Sequence, residues 1–198
     1  MLFNPAIACL AALALGVSAR PPPAAGFRSG DLVFGDTRST QSTAIQLATG
    51  SPWSHVGLVE VAPDGAYVIE AIGKVSRTPW AAFRRRAGGR VLVLRPRGIP
   101  DAARTRAVAE AKALLGRPYD PCFGWGDDRI YCSELVVKAY ERGAGVSLGK
   151  RERLGDLHLA GLEAAIRARW GRVPRDLVLV TPASLAADGR LDTVAEPP

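Results

Sequence analysis

At 198 residues, the chain is the right size for one domain with a buried core. Its 47% hydrophobic and 23% charged residues exclude a disordered, collagenous or disulfide-dense class, and no apolar run is long enough for a membrane-spanning helix. The net charge of +7 comes overwhelmingly from arginine, but its only dense cluster, Arg84-Arg85-Arg86, has no interleaved aromatics for base stacking; it reads as a solvated face, and nucleic acid is not an expected partner.

Residues 1–19 carry no charged side chain. Residues 6–17 form an apolar run of secretory-signal length, and Val17-Ser18-Ala19 reads as a small-residue cleavage site. An amino end without Lys or Arg, and Pro5 just before the run, fit a disordered Ala-rich leader as the alternative. A signal peptide over 1–19 predicts an exported protein, periplasmic or extracellular. Residues 20–29, opening on Arg20-Pro21-Pro22-Pro23, form an extended linker.

Residues 31–34 give a short strand signal, and 43–47 a weak helical one. Residues 55–62 and 66–72 read as two strands joined by Pro63-Asp64-Gly65, with Pro to fix φ and Gly to accept a positive φ. A short helix is expected over 79–86 and a strand over 91–94. Residues 101–115 form a helix with Ala107, Val108, Ala111, Leu114 and Leu115 on one face and Gly116 at the stop. A loop rich in Gly, Pro and Asp covers 117–129. A second long helix starts near Tyr131-Cys132 and runs to about Arg142, with Leu135, Val136, Ala139 and Tyr140 as its buried stripe. A third is expected over 159–170, then a strand over 177–180. Strands in the first half and helices in the second predict an α+β domain with an antiparallel sheet packed against helices. It spans residues 30–187, with 188–198 as a loose tail.

The sequence has two histidines and, after the leader, two cysteines. His55 opens a strand in Ser54-His55-Val56-Gly57, Glu70 lies on the next strand in an apolar setting where an unpaired carboxylate is expensive, and Cys132 opens a helix. Each placement suits a thiol nucleophile. A free thiol is only a few per cent ionised at neutral pH. A helix N-terminus and a neighbouring imidazolium lower its pKa. The Cys132 amide is free to bind an oxyanion, and a carboxylate from the adjacent strand can orient the imidazole. His55 and Glu70 share a face only for alternate registers of their two strands, which the turn leaves open.

The segments Gly30-Asp31-Leu32-Val33, Ser54-His55-Val56-Gly57, Ile69-Glu70-Ala71 and Tyr131-Cys132-Ser133-Glu134-Leu135 resemble the circularly permuted branch of the NlpC-type papain-like hydrolases, the YiiX/YebB-like group. In ordinary members the Cys precedes the His; here the His and its carboxylate come first, as in the permuted branch. Gly116-Arg117-Pro118-Tyr119, whose Tyr119 lies thirteen residues before Cys132, is similar to the Gly-x-Pro-Tyr element upstream of the NlpC nucleophile. The resemblance implies a permuted papain-like fold and Tyr119 as an oxyanion or substrate-positioning group. It also implies cell-wall peptides or acyl groups as substrates and peripheral contact with the cell envelope. The permuted lecithin:retinol acyltransferase relatives usually carry Asn-Cys and a second His; Tyr131-Cys132 and Glu70 depart from that pattern.

The expected activity is therefore cleavage of an amide or ester through a Cys132 acyl-enzyme, with His55 as base and Glu70 as its orienter. No cofactor is expected. A Cys122–Cys132 disulfide closing a non-catalytic envelope-binding domain is one alternative; an acyltransferase using the same thioester chemistry is another. A zinc site from Cys122, Cys132 and a histidine fits by count but lacks a ligand-like spacing. His158 has no motif around it and reads as structural or exposed. Glu134 reads as a capping or surface residue, and Trp53 as packing or cleft wall.

Overall fold

The computed structural model describes residues 26–194; the expected signal peptide and the start of the linker lie outside them. Eight strands and six α-helices follow in the described chain. They are β1 (Leu32–Gly35), α1 (Thr40–Thr49), β2 (His55–Ala62), β3 (Gly65–Ile72), β4 (Lys74–Pro79), α2 (Trp80–Arg86) and β5 (Leu92–Pro96), then α3 (Asp101–Ala113), α4 (Cys132–Ala144), β6 (Arg151–Arg153), α5 (Glu163–Trp170), β7 (Val178–Val180), α6 (Pro182–Ala186) and β8 (Leu191–Thr193). The architecture is the expected α+β, and every strand pairing is antiparallel. The main sheet runs β4-β3-β2-β1-β5-β8, and β6 and β7 form a separate ribbon.

Because side chains alternate along a strand, the sheet buries both faces. Leu32, Phe34, Val56, Leu58 and Ile69 pack against α3 and α4. Val33, Val59, Val68 and Val93 pack on the other side with Phe83 of α2. Helix α4 is buried nearly all round, Ser133 to Tyr140 without a break, so it is the central helix of the domain. It meets α3 at Gly143, where a Cβ would lie 2.3 Å from the Ala107 nitrogen; only Gly permits that approach. Its apolar stripe is as expected, and it is tied to the sheet by Tyr140, whose hydroxyl donates to the Gly30 carbonyl. Asp31, in the Gly-Asp-Leu-Val segment, is structural. It is fully buried and takes two hydrogen bonds of 2.7 Å from the Arg95 guanidinium.

Several elements differ from expectation. Residues 188–194 are not a loose tail: β8 pairs with β5, and Asp188 accepts from Gly149 N at 2.8 Å. Phe27, assigned to the linker, is buried and meets Trp80 edge-on at 4.5 Å, so the domain begins before residue 30. Strands β4 and β6 and helix α6 were not foreseen; β4 and β6 are polar and alternate weakly, as edge strands do. The helix expected over 159–170 starts at Glu163, and Leu115 is exposed rather than part of the α3 stripe.

Candidate active site

The register of β2 and β3 settles which side chains share a face. Gly57 lies opposite Glu70, so His55, two residues before Gly57, projects to the same side as the carboxylate. A Cβ at Gly57 would come within 2.5 Å of Val68 Cγ1 and 3.1 Å of Glu70 Cβ. The missing side chain is the gap through which Glu70 leans along the sheet to the imidazole. His55 Nε2 and Glu70 Oε2 stand 2.6 Å apart, both buried. Phe83, with its ring centroid 6.0 Å from that of His55, covers the pair.

Helix α4 packs on the opposite face, and its first residue is Cys132. His55 is the first residue of β2, so the thiol and the ring meet at the end of the strand. The thiol hydrogen-bonds to His55. With Nε2 committed to Glu70, Nδ1 is the nitrogen left for sulfur. The sulfur also accepts from the backbone N–H of Val56 and lies 3.9 Å from Ser133 Oγ.

Burial pushes the Cys132 thiol up, but the hydrogen bond and charge of His55, with Ser133 and Val56, outweigh it and leave the pKa below its ordinary value. Burial pulls the imidazole down, yet the hydrogen bonds and charges of Cys132 and Glu70 more than offset this and raise it to about 9. Burial raises Glu70; its bonds and charges with His55, then Thr78 and Arg86, bring it below the usual carboxylate value. The favoured state is thus a thiolate–imidazolium pair backed by a carboxylate. Arg86 closes the row: its Nη2 donates to Glu70 Oε1 and Oε2 at 2.6 and 2.5 Å. In that state the four groups alternate in charge and sum to zero, which offsets the cost of burying the first three, Arg86 being half-buried. Arg84 and Arg85 are exposed as expected, but Arg86 is not part of a solvated face.

Tyr119 arrives on its own segment. Gly116 N donates to Val75 O, Val75 N to Arg117 O, and Tyr119 N to Gly73 O, at 2.8–2.9 Å, so Gly116-Arg117-Pro118-Tyr119 is laced onto the start of β4. The Tyr119 hydroxyl accepts from Gln41 Nε2 at 2.8 Å. Burial first, then the Cys132 charge, push its pKa far up. It therefore stays protonated and keeps a proton to donate. Gln41 of α1 and Arg86 had no sequence signal that pointed to them. Thr78 was missed with its strand.

The remaining candidates stand apart. Cys122 and Cys132 are both free thiols, so the expected alternative of a disulfide is not formed. Cys122 is exposed and belongs to a turn in which Asp120 accepts from Cys122 N and Gly124 N. His158 is exposed. Trp53 packs on the core, with Arg90 over its ring. Glu134 caps α4, accepting from Tyr131 N at 3.2 Å. It is fully buried rather than at the surface and pairs with Lys138 at 2.7 Å. Among the described residues no group of three or more His, Cys, Asp and Glu side chains is arranged to hold a metal ion.

Two cavities flank the thiol–imidazole contact. One, of about 210 Å³, is lined by Cys132 and by apolar side chains of α1 and α5. The other, of about 130 Å³, is lined by His55, Tyr119 and the hydroxyls of Thr37, Ser39, Ser42 and Ser54. Gln41 and Ile45 belong to the walls of both.

Residues 26–195 match the family described as permuted papain-like amidase enzyme, YaeF/YiiX, C92 family. An uncharacterized Escherichia coli K12 protein, YiiX, is 36% identical over 176 residues, covering 85% of this chain and 86% of its own. A crystal structure titled as metalloprotein YiiX, from Escherichia coli O157:H7, superposes with a TM-score of 0.81 at 35% identity. It covers 86% of this chain and 98% of that one.

Proposed function

Because the chain belongs to the permuted papain-like amidase family of the YaeF/YiiX type, we propose that it cleaves an amide or ester bond through an acyl-enzyme on Cys132. The observation that carries this reading is the row Cys132–His55–Glu70, buried and closed by the half-buried Arg86, with the thiol below and the imidazole above their ordinary pKa values. The Cys132 thiolate attacks the substrate carbonyl carbon. The oxyanion that forms takes hydrogen bonds from the Cys132 backbone N–H, free at the first position of α4, and from the Tyr119 hydroxyl. As the C–N or C–O bond breaks, the His55 imidazolium gives its proton to the leaving group, and a thioester remains. Water then enters. His55 takes its proton, the C–S bond breaks, and the free acid leaves with the thiolate–imidazolium pair restored. Glu70 holds the ring and its charge throughout, and Arg86 holds Glu70.

The word metalloprotein in the relative's title finds no counterpart in this chain's residues. Both His55 nitrogens are engaged, by Cys132 and Glu70, and no third donor converges among the described residues. Export to the cell envelope belongs to the proposal and rests on the leader sequence. The test is to expose wild type and Cys132→Ala to stem peptides, aminoacyl amides and acyl esters and to weigh the intact protein. An acyl mass on the wild type alone supports the reading. A Cys132 that accepts no acyl group and alkylates no faster than Cys122 overturns it.

A further inference from the structure

We infer that Gln41 is a positioning residue for the reaction: its side-chain amide aims the one proton of the Tyr119 hydroxyl at the oxyanion. This rests on the acyl-enzyme reading above and adds to it the group that sets the direction of the second oxyanion donor.

A phenol has a single proton to donate and accepts through its oxygen, so the side from which it accepts fixes the side to which it donates. Gln41 Nε2 donates to the Tyr119 oxygen at 2.8 Å, and among the described residues that hydroxyl makes no other hydrogen bond. Its own proton is therefore uncommitted. Turned the other way, the amide would present Oε1, and the phenol would give its proton to Gln41 instead of to the substrate. The charge on Cys132 chooses between the two. It acts on the Tyr119 hydroxyl, so the positive end of the O–H dipole is drawn towards the sulfur, beside which the oxyanion forms, and the oxygen is left to Nε2. Gln41 also lies in the walls of both cavities, one containing Cys132 and the other His55 and Tyr119. The bond thus stands at the reacting centre rather than sealed in the core.

The first turn of α1 holds the amide in place. Gln41 precedes Ser42, the buried residue of that helix. Ser42 N donates to Ser39 Oγ at 3.1 Å, Thr37 N donates to Ser42 Oγ at 3.3 Å, and the Thr37 and Ser42 hydroxyls stand 2.5 Å apart. Asp36, just before Thr37, accepts from Arg38 N at 2.7 Å and from Ser54 Oγ at 3.1 Å. Ser54 is the neighbour of His55 in the chain. One run of bonds therefore starts beside the imidazole and ends beside Gln41, while Tyr119 is fixed separately along β4. Amide and phenol come from segments 78 positions apart, so their meeting is a product of tertiary placement and not of local chain geometry.

The test uses the full chain and two probes of Cys132: p-nitrophenyl acetate, whose attack forms an oxyanion, and iodoacetamide, whose attack forms none. The rate of acylation divided by the rate of alkylation reports on the oxyanion donors, and partial loss of folded protein or of thiolate does not move it. Gln41→Leu should lower that ratio about tenfold, roughly the contribution of one hydrogen bond, and should lower it no further in a Tyr119→Phe background. Gln41→Glu keeps the shape but is an acceptor alone when ionised. Its ratio, compared with wild type at each pH, should fall below that of Gln41→Leu where the carboxyl is ionised and recover as the carboxyl regains a proton to donate. Three results would overturn the inference and leave the hydrolase intact: a Gln41→Leu ratio equal to wild type, an undiminished effect of Gln41→Leu in the Tyr119→Phe background, or a Gln41→Glu ratio that stays at the wild-type value across the pH range. Acylation of wild type no faster than that of Cys132→Ala would instead bring down the hydrolase reading and this one with it.

Discussion

Replacing Glu70 by Gln tests the row of charges at its hinge. The carboxylate is fully buried and sits 2.6 Å from His55 Nε2. A hydrogen bond to a charged group contributes about 1.5–3 kcal/mol, and each pKa unit corresponds to about 1.4 kcal/mol. Losing the charge should therefore lower the imidazole pKa by roughly one to two units from its value of about 9. Arg86, left without its partner, adds repulsion in the same direction. The sign is fixed by which form is needed. In the proposed cycle turnover requires His55 protonated, so the alkaline limb of the kcat/KM profile should move down from about 9. Nucleophilic attack requires the thiolate, which a weaker imidazolium supports less well, so the acid limb of iodoacetamide alkylation moves up. The active window narrows from both sides. The assay is alkylation rate and ester hydrolysis against pH for wild type and Glu70→Gln, with circular dichroism to verify the fold. Limbs unchanged within a few tenths of a unit would mean that Glu70 does not support the imidazolium, and the charge row would lose its mechanistic meaning.

Gly57→Ala places a methyl 2.5 Å from Val68 Cγ1, and overpacking of this kind costs about 1–3 kcal/mol; urea denaturation should register it, and the alkylation profile should shift as for Glu70→Gln because the carboxylate is displaced. Tyr119→Phe removes the hydroxyl proposed as the second oxyanion donor while keeping the ring. The expected loss in kcat is about 100-fold or more, with the alkylation rate of Cys132, which forms no oxyanion, nearly unchanged. Lys138→Met strips the ion-pair partner from fully buried Glu134, whose carboxyl burial already lifts to about 7. Breaking a buried pair costs about 3–5 kcal/mol, so the urea midpoint should fall, and a midpoint equal to wild type would show the pair to be dispensable.

Much of the domain was decided locally. The Pro63-Asp64-Gly65 turn, the bounds of β2 and the start of α4 at Cys132 follow from turn chemistry and hydrophobic period, both properties of short segments. The identities of Cys132, His55 and Glu70 were legible because few residue types can make a thiolate, and the chain offers few copies of them. Gly57 was visible as a letter but not as the gap it makes. What only the tertiary structure decided depends on neighbours distant in sequence. The strand register put Glu70 on the side of His55. Packing of α2 brought Arg86 out of an ostensibly solvent-facing cluster to that carboxylate. Lacing of residues 116–119 along β4 set Tyr119 beside Gln41. The apolar cavity beside Cys132 is a space between α1 and α5, whose residues are more than a hundred positions apart, and a void leaves no mark on periodicity. Short polar strands such as β4, β6 and β8 are held by their partners rather than by their own propensity, so a linear reading left them as loop or tail.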